Sequence, residues 1–424
     1  MHRFLFKGKE LHCESVPVSR IAKSVGTPFY LYSIQTFLDH FLKLKKAFAS
    51  VEPLICFSMK ANSNLTVLKA LVNQGSGLDI VSGGELHKAR KVGVDPKKIV
   101  FASVGKTETE IEEAVRCGIL MFNVESSQEL DVINKVAFRL KKIQKVAIRL
   151  NPDVKSGTHQ YITTGTKQNK FGLDIGTVYK LFMESYRYPH LRLAGVHMHI
   201  GSQITNSKPF IEAIRKALAF IDSVRFSGNP VEYLNIGGGL GIIYSNEKPQ
   251  SAQDFAEAIL PLFKKYNLGK DLKLVLEPGR FVSGNSGILV TKVLYHKTTP
   301  TKLFVIVDGG MNDLIRPSFY GAHHEIVPII KGRGKTVYRH VDVVGPICES
   351  GDFLAKDRKL AAVSEGDLLA VMSCGAYGSV MSSNYNSRPR VPEVVVKGGR
   401  FFIARRRENR DDLTRLERIV KEVV

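Results

Sequence analysis

From about residue 34 to residue 280 the chain alternates between two hydrophobic patterns. Short, nearly continuous apolar runs are followed by longer stretches in which apolar residues recur at every third or fourth position. The first pattern is that of strands buried on both faces, and the second that of amphipathic helices with one buried stripe. After a helical stretch at Ile34–Ala49, strand-like runs fall at Leu54–Met59, Leu78–Val81, Ile99–Ser103, Met121–Val124, Lys145–Leu150, Leu193–Ile200, Tyr233–Ile236 and Leu272–Leu276. Helical patterns lie between them, among them Leu65–Val72, Glu85–Val92, Glu108–Cys117, Gln128–Leu140, Phe210–Val224 and Ala252–Tyr266. Eight such strand and helix units predict a (β/α)8 TIM-like barrel.

Beyond Phe281 the rhythm changes to strands separated by Gly and Pro turns, at Ile288–Tyr295, Leu303–Val307, Tyr338–Val344, Leu368–Met372 and Val394–Val396. This predicts a mostly β domain. The strand-like start His2–Phe6 suggests that residues 1–30 join that domain from the other end of the chain. The expected organisation is therefore a barrel over 31–280 and a β domain built from 1–30 and 281–424. A length of 424 residues agrees with two cores rather than one.

Composition adds exclusions. With 44% hydrophobic and 24% charged residues the chain can bury proper cores and is not of the disordered class. Its first residues offer only Phe4-Leu5-Phe6 between basic residues, too short for a signal peptide or membrane span, which predicts a cytoplasmic protein with no membrane partner. Five scattered cysteines with no Cys-x-x-Cys pair suggest neither a disulfide framework nor a zinc ribbon. The formal charge of +21 is spread along the chain without a nucleic-acid motif, so it reads as a basic solvated surface and no nucleic-acid partner is expected. The densest basic run, Arg405 to Arg410, reads as an exposed helix start or edge.

In a barrel of this kind chemistry gathers at the C-terminal ends of the strands, and the unusual residues of this sequence fall there. Lys60 follows the first strand in Phe57-Ser58-Met59-Lys60-Ala61-Asn62, where a desolvated amine can attack a carbonyl; an isolated lysine would more often be a surface cation. Arg149 ends the fifth strand. Gly237-Gly238-Gly239-Leu240-Gly241, after the seventh, lets backbone amides approach an anion, although glycine turns are common. On the sixth strand His197 and His199 alternate onto one face; this would suit a zinc pair, but no third ligand is evident nearby, so no metal is expected. A ring packed flat on a cofactor is the preferred reading of the pair, and a hydrogen-bonded core imidazole the plain one for His197. Glu277-Pro278-Gly279-Arg280 closes the eighth strand with a carboxylate that, beside a pyridine ring, would keep the ring nitrogen protonated.

Together with His197-Met198-His199-Ile200-Gly201-Ser202-Gln203 and Cys348-Glu349-Ser350, these segments occur in one order, and the chain resembles the fold-type III pyridoxal-phosphate decarboxylases over nearly its whole length. Asp313-Leu314-Ile315-Arg316-Pro317-Ser318-Phe319-Tyr320 and Cys374-Gly375-Ala376-Tyr377-Gly378 narrow the resemblance to the diaminopimelate decarboxylase branch, with Phe319 where that branch often has leucine.

The resemblance implies pyridoxal 5'-phosphate as cofactor, meso-diaminopimelate as substrate, L-lysine and carbon dioxide as products, and a homodimer with shared active sites in which the β domain contributes to the site and the dimer interface. It implies that Lys60 holds the cofactor, His199 stacks on its ring and Glu277 pairs with the ring nitrogen. Phosphate falls to Ser202, Gly239, Gly241, Gly279, Arg280 and Tyr377, while Asp79 and Arg149 tune the site. Cys348 is the implied proton donor after carbon dioxide leaves. Arg280, Arg316, Tyr320, Glu349 and Tyr377 are the implied substrate contacts, and Pro152–Gly172, with His159, resembles a flexible active-site loop. Other readings stay open: an alanine-racemase-like enzyme, which would be expected to carry arginine in place of Glu277; an ornithine or arginine decarboxylase, separated only by the distal pocket; and a non-catalytic cofactor carrier, which would lack the β domain with its Cys348 motif.

Overall fold

The computed structural model describes residues 2–154, 170–266, 268, 270–332, 337–421 and 423. The chain divides into two compact units, one formed by Leu38–Ile243 with Glu247–Val282, the other by Met1–Phe37, Tyr244–Asn246 and Ser283–Val424.

The first unit is a closed barrel of eight parallel strands: Leu54–Ser58, Gly77–Ile80, Ile99–Phe101, Met121–Val124, Gln144–Arg149, Leu191–His197, Tyr233–Asn235 and Lys273–Leu276, the last pairing with the first. Local signals start the intervening helices where the sequence places them. Asn64 caps Leu65–Val72 by accepting from Thr66 and Val67 amides, Ser82 caps Gly83–Val92, and Thr107 with Glu110 forms a capping box on Glu108–Cys117. The helix expected over Ala252–Tyr266 ends at Ile259, because Pro261 has no amide to continue it, and gives way to a 3-10 turn at Leu260–Phe263.

The period of two along each strand sorts the barrel interior into layers. Cys56, Val100, Met121, Ala147, Ala194, Tyr233 and Val275 pack together as an apolar plug. Gly77 completes it, since a Cβ there would lie 2.3 Å from the Lys98 carbonyl oxygen and 2.8 Å from Cys56 Sγ. Two residues further along the strands, three on the sixth where a bulge interrupts the register after Leu193, the same face turns polar: Ser58, Asp79, Asn123, Arg149, His197, Asn235 and Glu277, all buried. The plug makes the floor rigid and dry, and the polar ring above it is where chemistry can occur.

The second unit is mostly β. A long strand, Gly287–Thr298, is central to a nine-stranded sheet and pairs with Phe29–Ser33, Leu303–Val307 and Leu368–Val371. Phe29–Ser33, every residue of it buried, spans the expected boundary at residue 30 and also pairs with Glu393–Lys397. The strands Phe353–Ala361 and Arg400–Arg405 were not anticipated; charged and exposed positions break their alternation. Phe4–Lys7, Glu10–Cys13 and Val16–Pro17 form a small separate sheet, whose Phe4, Leu11, Cys13 and Val16 share one core with Phe29, Ile288, Val290 and Val394. Among the described residues no helix is long and apolar enough to cross a membrane.

Candidate active site

The polar ring converges on Glu277. Its Oε1 accepts from Asn123 Nδ2 at 2.8 Å and Asn235 Nδ2 at 2.6 Å, and its Oε2 lies 3.3 Å from His197 Nε2. Burial alone would push this carboxyl up, but His197, Lys60 and the asparagine amide outweigh it and hold Glu277 ionised, well below the usual carboxylate range. An ionised oxygen only accepts, so His197 Nε2 is the donor. His197 is thus part of the carboxylate's support.

Lys60 leaves the end of the first strand and reaches Asp79 Oδ2 at 3.3 Å, which also accepts from Ser58 Oγ at 2.6 Å. Asp79 is pushed up to about 6, first by burial and then by Glu277, against the pull of Lys60. Its Oδ1 and the Nδ1 of His197 are buried without a hydrogen-bond partner among the described residues. Burial and the cations Lys60 and Arg149 hold the His199 pKa far down, so its imidazole is neutral. The Gly238 amide donates to His199 Nδ1 at 3.3 Å, which leaves the proton on Nε2.

The glycine loop is bare for steric reasons. A Cβ on Gly238 would sit 2.2 Å from the Glu277 carbonyl oxygen, and one on Gly239, whose φ is +108°, 2.5 Å from that of Gly201. The Gly241 amide donates to the Ile204 carbonyl at 2.9 Å, whereas the Gly239 amide has no acceptor among the described residues. Close by, Arg280 Nε and Nη2 donate to Ser202 Oγ at 3.2 and 3.0 Å. Arg149 is buried against Glu125, Nη1 to Oε1 at 2.6 Å, and Glu125 Oε2 accepts the Gly172 amide at 2.8 Å. Residues 155–169, and His159 with them, lie outside the described residues.

An amine, a buried carboxylate, a neutral imidazole and an anion-accepting glycine turn are the set of groups that pyridoxal phosphate requires, and three orphaned polar atoms of the ring, Asp79 Oδ1, Asn123 Oδ1 and His197 Nδ1, mark a site wanting a further partner. The residues present fit that cofactor.

The β unit carries a second group. Arg316 starts the short helix Arg316–Tyr320, and its guanidinium lies over the rings of Tyr244, at 5.3 Å, and Tyr320, at 5.8 Å. Cys348 and Glu349 lie exposed in one loop, where the Cys348 amide donates to Asn386 Oδ1 at 2.7 Å and Tyr385 Oη to Glu349 Oε2 at 3.4 Å. Tyr377 adopts a left-handed φ of 56° beside Gly378, where a Cβ would meet the Cys374 carbonyl at 2.5 Å. Sequence reasoning did not single out Asn123, Asn235, Glu125, Tyr244 or His324. The signal available for the two asparagines was a polar residue at the end of an otherwise apolar strand.

Residues 34–284 match the family model described as the pyridoxal-binding domain of pyridoxal-dependent decarboxylases. The chain is 48% identical to the diaminopimelate decarboxylase of Aquifex aeolicus over 408 residues, 96% of this chain and 95% of that one. It is 45% identical to that of Vibrio cholerae, over 97% of this chain and 98% of the other. A crystal structure of the M. jannaschii diaminopimelate decarboxylase in complex with L-lysine superposes with a TM-score of 0.93 at 36% identity, covering 99% of each chain.

Proposed function

Because the chain belongs to the pyridoxal-dependent decarboxylases and, within them, to the diaminopimelate decarboxylases, we propose that it converts meso-diaminopimelate to L-lysine and carbon dioxide with pyridoxal 5'-phosphate. The product fixes which bond breaks: an L-lysine product requires loss of the carboxylate at the D-centre, with the L-centre left untouched at the far end. The cofactor, when bound, supplies an electron sink for the pair left behind as carbon dioxide departs.

The chain's own residues do the rest. Lys60 provides the amine for covalent attachment, with Asp79 beside it as a proton acceptor whose affinity burial has raised into the working range. Glu277, held ionised by Asn123, Asn235 and His197, keeps a ring nitrogen protonated. Neutral His199 offers a flat face without a competing charge. The Gly239 amide, the Ser202 hydroxyl oriented by Arg280, the Gly279–Arg280 turn and Tyr377 receive phosphate. Arg316, Tyr320 and Glu349 receive the far carboxylate and ammonium, and Cys348 returns a proton to the carbon that has lost carbon dioxide.

The observation that carries this reading is the half-exposed Lys60 amine reaching Asp79, which shares one buried ring with an ionised Glu277. Purified protein incubated with meso-diaminopimelate is expected to release lysine and carbon dioxide in equal amounts, and borohydride reduction to fix the cofactor on Lys60. Faster turnover of ornithine or arginine, or a label on another lysine, overturns the assignment.

We further propose a cytoplasmic homodimer in which Cys348 and Glu349 of one subunit serve Lys60 of the other; their exposed loop, bounded by turn formers, suits projection from its own unit. Inactive Lys60→Ala and Cys348→Ala proteins, mixed so that subunits exchange, regain activity toward half a site complement if the site is shared. No recovery despite labelled exchange rules it out.

A further inference from the structure

We propose that His324 is a positioning residue for the substrate, holding the Arg316 guanidinium in place while leaving its charge uncancelled. The inference rests on the reading of Arg316 as the group that grips the far carboxylate. Arg316 and His324 are both buried, at 6% and 0% exposure. Arg316 Nε donates to His324 Nε2 at 3.2 Å, and His324 Nδ1 lies 2.8 Å from the Met372 carbonyl oxygen. A carbonyl only accepts and a guanidinium only donates, so both contacts hold together in one state alone: neutral imidazole with its proton on Nδ1 and a bare lone pair on Nε2. Tyr244 stands edge-on to His324, with centroids 5.4 Å apart, and presents its ring to the guanidinium, as Tyr320 also does.

What is missing around Arg316 is as informative. Among the described residues no carboxylate lies within ion-pair distance of it, and neither terminal nitrogen has a hydrogen-bond acceptor. Buried arginines are ordinarily paired, as Arg149 is with Glu125. Here a neutral acceptor and two aromatic faces fix the fork's position, and its two outer nitrogens remain for a planar, bidentate anion. A carboxylate in place of His324 would hold the arginine equally well but would neutralise it before substrate arrived. The tautomer imposed by Met372 makes the support specific.

The two bonds of His324 can be removed separately. His324→Gln places an amide oxygen near the Nε2 position and retains the acceptor for Arg316, whereas His324→Asn retains the donor to Met372 and loses that acceptor. In the holoenzyme, His324→Asn and His324→Leu are expected to raise KM for meso-diaminopimelate by roughly tenfold to a hundredfold with kcat within about threefold, as losing a hydrogen bond to a charged group implies. His324→Gln stays near wild type. Calorimetry gives a readout independent of turnover. L-lysine, which keeps the far carboxylate, binds more weakly to His324→Asn by the same factor, and 1,5-diaminopentane, which lacks it, binds all variants alike. The opposite order, with His324→Asn near wild type and His324→Gln impaired, means that the imidazole serves only the Met372 carbonyl and overturns the inference. Arg316→Lys separates the two levels: if it leaves KM unchanged, the grip assigned to Arg316 is itself wrong. If it raises KM while no His324 variant does, this inference alone fails.

Discussion

Removing Glu125 tests how much of the barrel's rim rests on one buried ion pair. Glu125 follows the fourth barrel strand and Arg149 ends the fifth, and their side chains are 2% and 7% exposed. Both carboxylate oxygens are engaged, Oε1 with Arg149 Nη1 at 2.6 Å and Oε2 with the Gly172 amide at 2.8 Å. In Glu125→Ala the guanidinium keeps a 3.5 Å contact to the His199 carbonyl and the face of Phe171 at 4.6 Å, neither of which carries a compensating charge. Stranding a buried charge in this way costs about 3–5 kcal/mol. For a unit of roughly this size each kcal/mol lowers Tm by about 2–4 °C, so a fall of about 6–20 °C is expected. Adding Arg149→Met removes the stranded charge. Because replacing both partners of a buried pair is close to neutral, most of the loss should return, the half-buried Gly172 amide taking water in exchange. Activity should not return, since the family resemblance implies that Arg149 tunes the site, and its charge helps hold His199 neutral. The assay is thermal unfolding of the apoprotein for wild type, both single variants and the double, at low and high salt; a buried pair is little screened. A loss below about 1 kcal/mol for Glu125→Ala, or a double variant no more stable than that single one, refutes the argument.

Asp79→Asn should stabilise the apoprotein at pH 8 and inactivate it. The folded pKa of Asp79 is raised to about 6 from 3.8, so its contribution favours folding below about 4 and is lost as pH rises through 6; the variant's advantage must therefore shrink as pH falls from 6 to 4. A Tm difference that does not vary with pH would contradict the raised pKa. Gly238→Ala should lose cofactor absorbance at any practical cofactor concentration, because its Cβ would lie 2.2 Å from the Glu277 carbonyl oxygen and push the loop away from that strand end; retention of wild-type absorbance would show that the loop yields easily. Glu277→Gln turns an amide nitrogen toward one of three converging donors and removes the charge, so kcat should fall at least about a hundredfold. A fall of less than threefold would remove Glu277 from its proposed role.

The barrel was legible in the sequence because a strand buried on both faces writes itself as a short apolar run, and the helix between as a periodic one. Neither depends on distant partners. Lys60 and Glu277 stood out for the same local reason, as charged residues at the ends of apolar strands. Phe353–Ala361 escaped because Lys356, Asp357, Arg358 and Lys359 hide the alternation. Phe29–Ser33 escaped because a run of buried residues just before a helix resembles that helix's own start. What only the tertiary structure decided is which polar residues meet. Asn123 and Glu277 are 154 positions apart, and His324 reaches Met372 across 48; nothing local to either residue specifies its partner. Barrel closure brings the eighth strand beside the first and turns every second residue inward, so six polar residues from separate strands become one ring around the Glu277 carboxylate. The sequence by itself determined the elements and the charged groups that do chemistry. The packing of those elements determined which uncharged neighbours set their protonation and position, since those interactions exist only where the chain has excluded water and brought distant segments within hydrogen-bond reach.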